Sequence, residues 1–255
     1  IIKPKYYYLS HFSDGLMAFQ EKAKGKYGFI DNLGQIKIES KFDRADSFHE
    51  GLAVVEIDNK WGYIDKKGQI AIEPKFDFAR EFEDGLARVE INHRWGYIDK
   101  TGEMVIEAKF DLARSFEKGL AQVYYKDEWG YKWGCIDKDG EVVIQSKFDD
   151  LGYFTEQGFA RVMIANKWGI INELGEIIVE PKYDEIAHFN DKGLAEIELG
   201  GKIGFINEKG EMIIEPQFDE TTWLSEEHIG VKSNDKHGCL DKGGKIIVKP
   251  EFDEE

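Results

Sequence analysis

The sequence predicts an all-β protein in which about seven antiparallel repeats of roughly 35 residues follow one another. The first observation is a block that recurs seven times, with a Gly that usually follows Trp and a second Gly six residues later. An Asp preceded by an aromatic residue closes each block, 15 positions after the first Gly. The second observation is an alternation of apolar and polar residues with a period of two, which is typical of strands with one buried face. Together they predict tandem β units.

The spacing of the block shows which part of each repeat is fixed in length. Successive first glycines are separated by 34, 34, 38, 35, 35 and 34 residues, and the four-residue excess lies before the fourth of them. Because insertions are tolerated where a chain turns in solvent, we expect an exposed turn at that point. The first glycines are Gly28, Gly62, Gly96, Gly134, Gly169, Gly204 and Gly238, and the closing aspartates are Asp43, Asp77, Asp111, Asp149, Asp184, Asp219 and Asp253.

Each repeat is predicted to be a three-stranded antiparallel meander. In the third copy, residues 87–91 alternate between apolar and charged side chains, and residues 94–98 are apolar on both faces. Turns are expected at Asn92 and His93 and at residues 99–102, where Gly supplies a positive φ. A third strand follows, and Pro74 of the second copy lies in it. Since Pro cannot donate to a β ladder, this strand is expected at an edge or a bend.

The middle strand needs cover on both faces, and the neighbouring copies are the nearest available cover. Residues 76–82 are expected to connect one unit to the next, with Phe76 and Phe82 as anchors. On this hypothesis, Trp95→Ala unfolds its own unit and weakens both neighbours.

Two arrangements of the units remain open, an open superhelical array and a closed seven-bladed β-propeller. The ends favour the open array. Residues 2–6 match a third strand that has no middle strand of its own, and the terminal copies are atypical, with Tyr27 and His237 where four of the five other copies have Trp. We expect one repeat domain over residues 1–255. It comprises a partial repeat at 1–15 and cores at 15–43, 51–77, 85–111, 119–149, 158–184, 193–219 and 227–253.

Composition excludes several classes of protein. Hydrophobic residues make up 42% of the chain, which is too high for a disordered acidic segment. A net charge of -16 repels phosphate backbones, so we expect no nucleic-acid partner. No apolar run approaches the roughly 18 residues of a membrane span, so membrane insertion is not expected. The sequence starts at Ile1 rather than Met, from which we expect a removed start; export stays open, with the cytoplasm slightly favoured.

Residues 60–68, which read Lys-Trp-Gly-Tyr-Ile-Asp-Lys-Lys-Gly, together with Glu-Pro-Lys-Phe-Asp at 73–77, resemble the WG-repeat family of bacterial β-repeat proteins. The resemblance covers essentially the whole chain, although residues 202–204 and 236–238 depart from Trp-Gly. It implies a bacterial origin, tandem copies in varying number, no established catalytic residues and a role in binding other macromolecules.

We expect no enzyme, cofactor or metal site, because no phosphate loop, paired His or nucleophile motif is present. The six histidines are scattered along the chain, and most lie in predicted turns and connections. Cys135 and Cys239 are interpreted as small core residues rather than a disulfide pair. The closing Asp of each repeat is expected to accept hydrogen bonds from amides just downstream and so to set a turn.

The four extra residues of the fourth copy produce an aromatic hairpin that is a candidate binding site. Exposed aromatic rings at an extended tip are typical of contact surfaces. The alternative is that these rings merely pack on the adjacent unit. A second candidate, Trp223, precedes the last copy. The complete set of candidate binding residues is Tyr124, Tyr125, Asp127, Glu128, Trp129, Tyr131 and Trp223.

Two functions are compatible with these observations. The first is a non-catalytic scaffold that binds another protein, with the acidic charge favouring a basic partner such as an effector or toxin. The alternative is a carbohydrate or cell-envelope binding module, in which Tyr125, Trp129 and Tyr131 stack on sugar rings.

Overall fold

The structure is a computed structural model that describes residues 6–127, 130–225 and 227–252. These residues form strands, turns and connections; no helix among them could cross a membrane. The strands make seven four-stranded antiparallel sheets in tandem, each a meander in chain order. The predicted all-β class and the number of repeats are therefore confirmed. The chain divides into two compact units, Ile1–Ser146 and Lys147–Glu255, with the division inside the last strand of the fourth sheet.

The first unit holds the first three sheets and most of the fourth. Its first two sheets are β1 (Tyr8–Leu9), β2 (Met17–Gln20), β3 (Tyr27–Ile30) and β4 (Ile36–Phe42), then β5 (Arg44–His49), β6 (Leu52–Ile57), β7 (Lys60–Asp65) and β8 (Ile70–Phe76). The third and fourth are β9 (Phe78–Glu83), β10 (Leu86–Ile91), β11 (Arg94–Ile98) and β12 (Met104–Phe110), then β13 (Leu112–Ala113), β14 (Ala121–Asp127), β15 (Gly130–Ile136) and β16 (Val142–Phe148).

The second unit holds the last three sheets. The fifth sheet is β17 (Asp150–Leu151), β18 (Phe159–Ile164), β19 (Lys167–Asn172) and β20 (Ile177–Tyr183). The sixth is β21 (Glu185–Ile186), β22 (Leu194–Leu199), β23 (Lys202–Asn207) and β24 (Met212–Phe218). The seventh is β25 (Glu220–Trp223), β26 (His228–Ser233), β27 (Lys236–Asp241) and β28 (Ile246–Phe252).

The strand that the sequence did not predict is the first of each sheet, formed by the stretch interpreted as a connection. In the third sheet, the Asp77 amide donates to the Glu90 carbonyl at 2.9 Å and starts the pairing of β9 with β10. A bulge then shifts the register, so that Ala79 and Phe82, three positions apart, are both buried in one core. Because a bulge breaks the period of two, the strand has no alternating pattern to reveal it.

The Gly that follows Trp permits close contact between the middle strand and the last strand of a sheet. A Cβ on Gly62 would lie 2.6 Å from the Ile72 carbonyl oxygen and 2.7 Å from the Pro74 nitrogen, too close for any side chain. The β7–β8 register shifts between Trp61 and Tyr63, on either side of this Gly. Pro74 lies in β8, at the edge of the sheet, as predicted from its missing amide hydrogen.

Within a unit, the core lies between successive sheets and consists mainly of phenyl and phenol rings. The Tyr63 ring is 4.9 Å from the Phe82 ring of the next sheet, and its hydroxyl donates to the Arg80 carbonyl at 2.7 Å. Phe76 and Phe82 are both buried, as the predicted anchors require. The indole of Trp61 is only half-buried, against Phe78. Aromatic contacts thus join neighbouring repeats, and the Trp rings lie at the margin of the core.

Turn-to-turn bonds also join the sheets of the first unit. Glu50 accepts the Gly85 amide at 3.2 Å and pairs with Lys100 at 3.0 Å, both in the next sheet. The same bonds link Asp14 to Gly51 and Lys66, and Asp84 to Gly119 and Lys138.

Candidate functional site

The four extra residues of the fourth repeat lengthen a β-hairpin. β14 pairs with β15 from Ala121 opposite Ile136 to Asp127 opposite Gly130. In the third sheet, the equivalent pairing ends at Ile91 opposite Arg94. Glu128 and Trp129 lie outside the described residues, as does the side chain of Asp127, so these three candidate residues stay predictions.

The aromatic residues of this hairpin lie on its two opposite faces. Tyr124 and Trp133 are directly paired across the strands, with their rings 5.3 Å apart. Tyr131 shares that face, and its ring lies 5.8 Å from that of Tyr124 at an interplanar angle of 22°. Its side chain is 47% exposed. Tyr125 lies on the other face, because successive strand residues alternate.

Tyr125 packs on the preceding repeat. Its ring is half-buried and lies 5.6 Å from the ring of Phe110, at the end of β12. The ring of Tyr125 thus contacts the adjacent unit, and a role of this residue in binding stays a prediction. Tyr131 is the described aromatic residue of the hairpin that offers the largest exposed surface.

Trp223 belongs to the second compact unit and is 56% exposed. It borders a groove of about 340 Å³ that His188 and Glu196 also line. Burial lowers the pKa of His188 below the usual value for histidine, which keeps the ring neutral at pH 7. The Thr221 hydroxyl donates to a Glu196 carboxylate oxygen at 2.6 Å, so that carboxylate already has a partner.

The closing Asp holds the hairpin of the following repeat in place. Asp77 Oδ1 pairs with Lys60 Nζ at 2.6 Å, and its Oδ2 accepts the amide of Asn92, the first residue of the β10–β11 turn, at 2.7 Å. These two bonds hold the pKa of the Asp77 carboxyl below its usual range, with the lysine as the larger cause. The expected acceptor role is found, but the amide lies 15 residues downstream, in the next hairpin, rather than just downstream.

The same Oδ2 contact recurs, at 2.7–3.1 Å, in four other repeats. The donor is the amide of the first residue of a turn with positive φ in every case. The acceptor and donor pairs are Asp43 with Asp58, Asp149 with Ala165, Asp184 with Gly200, and Asp219 with Asn234.

Among the closing aspartates that the structure describes, Asp111 is the exception. Its Oδ1 pairs with Arg94, but among the described residues its Oδ2 is buried without a hydrogen-bond partner. The residue 15 positions downstream is Lys126, which pairs with Tyr131 inside the lengthened hairpin instead of starting a turn. The insertion has therefore moved the turn away from the carboxylate. The 38-residue spacing was the sequence signal for this change, although it did not reveal Asp111 itself.

A groove of about 540 Å³ lies beside this carboxylate, between the third and fourth sheets. Phe110, Tyr125, Ile136 and Val142 form its apolar lining, and Asp111 lies in its wall. Three cationic residues also line it: Arg94, Lys109 and Lys126. The groove thus combines an apolar surface with a local excess of positive charge, next to the buried Oδ2 of Asp111.

The described residues include no group of three or more His, Cys, Asp or Glu side chains placed to hold a metal ion. Cys135 is buried, and burial raises the pKa of its thiol to about 12, so it is protonated and unreactive at pH 7. Cys239 is half-buried, and both cysteines are free.

Several solved structures are similar to this chain at low sequence identity. A eukaryotic initiation factor is 11% identical and has a TM-score of 0.49, with 98% of this chain and 79% of that chain covered. Hsv2p of Kluyveromyces lactis is 8% identical, with 91% and 92% covered and a TM-score of 0.45. Streptogramin B lyase is 17% identical, with 91% of each chain covered and a TM-score of 0.35. No curated protein sequence matches the chain.

The sequence profile of the WG containing repeat matches eight segments, residues 1–24, 27–61, 61–93, 95–129, 133–168, 168–202, 203–236 and 238–254. Segment 27–61 of this profile, for example, runs from β3, the third strand of the first sheet, to β7, the third strand of the second. Its frame is therefore offset from that of the sheets, which accounts for eight segments over seven sheets. Because these segments cover nearly the whole sequence, the chain belongs to the family of WG-containing repeat proteins.

Proposed function

We propose that this protein is a non-catalytic scaffold that binds another protein through the fourth repeat. The observation that carries the proposal is the lengthened β14–β15 hairpin beside a groove of about 540 Å³. That volume is within the range of typical ligand pockets, roughly 300–1,000 Å³. Tyr131 adds an exposed ring, a residue type that contributes strongly to protein interfaces.

The charge of the chain supports a basic partner. With a net charge of -16, long-range attraction accelerates encounter with a positively charged protein, such as a basic effector or toxin. Because salt screens this attraction, the association rate is expected to fall steeply as ionic strength rises.

Site-specific photo-crosslinking in the source cells tests the proposal. A benzophenone amino acid at position 131 should capture one protein at high yield. The matched control is the same amino acid at position 33, because Leu33 is 73% exposed and lies in a turn of the first sheet of the same unit. Equal capture at both positions, or none at 131, would contradict a binding role for the hairpin.

A second candidate function, carbohydrate binding, is favoured by one observation. The ring of Tyr131, which stacks on that of Tyr124, is 47% exposed and is an aromatic side chain of the kind on which sugar rings stack. Quenching of Trp fluorescence by a glycan panel tests it, since Trp133 lies against Tyr124. A panel without effect would remove this candidate and leave the protein-binding proposal untouched.

A further inference from the structure

The sixth repeat has a different side chain at the position that joins its sheet to the next one. In the third and fifth repeats this residue is an arginine, Arg88 or Arg161, whose guanidinium donates to a main-chain carbonyl 25 residues downstream. Arg161 also lies over the ring of Trp168, 5.0 Å from its centroid. In the sixth repeat the equivalent residue is Glu196, which accepts the hydroxyl of Thr221, also 25 residues downstream. The charge at this position is therefore reversed.

This change accompanies the groove that Trp223 borders. The equivalent place between the fifth and sixth sheets has no room for a water molecule, and Arg161 and Phe189 line it. Phe189 is only 9% exposed, whereas Leu224, which also lies five residues after a closing Asp, is 60% exposed. Between the sixth and seventh sheets, a groove of about 340 Å³ remains.

We propose that this groove binds an arginine side chain of the basic partner protein. The incoming guanidinium pairs with the carboxylate of Glu196 and lies on the indole of Trp223, much as the chain's own Arg161 lies on Trp168. This inference rests on the proposed binding of a basic protein, and it adds a contact in the second compact unit.

The charge of the groove favours a cationic ligand. Among the described residues that line it, Glu196 is the one that is charged at pH 7, because the lowered pKa of His188 keeps that ring neutral. The Thr221 hydroxyl occupies one of about four acceptor sites of the Glu196 carboxylate, so the others can accept the N–H groups of a ligand. The half-buried position of Glu196 reduces screening of its charge by salt.

The aromatic wall favours arginine over lysine. The Trp223 side chain is 56% exposed, and indole is the aromatic group that attracts cations most strongly. A guanidinium is planar, so it can stack on such a face and pair with a carboxylate through two N–H groups, which an ammonium cannot do.

NMR titration with acetyl-arginine methylamide tests the proposal. The indole N–H signal of Trp223, assigned with Trp223→Phe, and the backbone amide signals of β25 and β26 should shift and saturate. Acetyl-citrulline methylamide is the matched ligand control, because it has a side chain of the same length without the positive charge. It should bind at least about tenfold more weakly, since a charged hydrogen bond to Glu196 is lost.

Variants of the second strand of the sixth sheet assign the binding to Glu196. Glu196→Gln keeps an acceptor for Thr221 and should weaken arginine binding at least about tenfold. Glu198→Gln is the matched control, because it removes the same charge from the same strand at a residue outside the groove. It should change the affinity less than about twofold. Glu196→Arg supplies the internal arginine of the third and fifth repeats and should abolish binding.

Three outcomes would overturn the inference: no saturable shift of these signals, equal affinity for the arginine and citrulline compounds, or equal affinity of the wild type and Glu196→Gln for arginine. Photo-crosslinking at position 131 reports on the scaffold function separately. Capture at position 131 without arginine binding overturns the groove assignment and keeps the scaffold. Arginine binding without capture keeps the groove assignment and overturns the role of the fourth repeat.

Discussion

Replacing Gly62 by Ala tests whether the repeat depends on close contact between its last two strands. The added Cβ would lie 2.6 Å from the Ile72 oxygen, where ordinary contact begins at 3.4 Å. The shortfall is about 0.8 Å. All three nearest atoms belong to the backbone of β8, including two of Pro74, so no side chain can rotate away. β7 and β8 must separate by about that distance or lose their pairing.

The expected cost follows from the bonds that such a separation breaks. A hydrogen bond of about 2.9 Å, lengthened by this shortfall, exceeds the limit for a useful contact. Trp61 pairs with Phe76, and Tyr63 with Ile72, on either side of the Gly. Losing about two backbone bonds costs roughly 2 kcal/mol, and strain from overpacking adds about 1–3 kcal/mol. We expect the free energy of unfolding of the first unit to fall by about 3–5 kcal/mol.

Urea unfolding combined with amide hydrogen exchange measures this change for each unit. Exchange is needed because two compact units need not unfold in a single transition. Protection should be lost in residues 60–76 and largely retained in the equivalent segment 167–183. Gly152→Ala is the control: its Cβ would meet only atoms at 3.5 Å or beyond, so stability should stay within about 0.5 kcal/mol. Wild-type stability of Gly62→Ala would refute the reasoning.

Three further predictions follow from the same geometry. Tyr97→Phe should cost about 1–2 kcal/mol in urea unfolding, because the Arg114 carbonyl loses a 2.7 Å bond. Burial raises the pKa of Tyr97, so above about pH 10 this side chain ionises in the unfolded chain before it does in the folded one. The free energy of unfolding should therefore fall as pH rises above that value, and Tyr97→Phe should make this decrease smaller. The Lys60 ammonium lowers the pKa of Asp77. The ionised Asp77 therefore contributes fully to the free energy of unfolding above its unfolded-state pKa, near 3.9, and this contribution is lost as pH falls through the folded-state pKa. Asp77→Asn should accordingly make the loss of stability at acid pH smaller.

The sequence predicts the parts of the fold that depend on local physics. The turn glycines have the expected positive φ, as Gly102 does at 85°, and the two-residue turn falls at Asn92 and His93, both with positive φ. Pro74 lies on an edge strand for the reason that its missing N–H implies. In each case the residues that form the sequence pattern lie within a few positions of the residues whose conformation they determine.

The parts that the sequence does not predict depend on contacts between distant residues. The bulge that sets Ala79 and Phe82 in one core hides a whole strand from a period-two search. Trp95 lies at the margin of the core, half-buried under the Arg88 guanidinium 5.3 Å away, so its replacement should cost less than the roughly 3–5 kcal/mol of a fully buried Trp. Neither fact can be derived from a pattern of apolar residues, since both depend on where the next sheet packs.

The lengthened hairpin of the fourth repeat is disadvantageous for stability. Leaving a buried carboxylate oxygen without a donor costs about 1–3 kcal/mol, which five other repeats avoid with a short turn. The fold does not require the extra residues, because the third sheet pairs the same strands without them. A local departure that weakens the fold is expected where function compensates for it. The unpartnered Asp111 oxygen therefore supports the proposal that the fourth repeat carries the binding site.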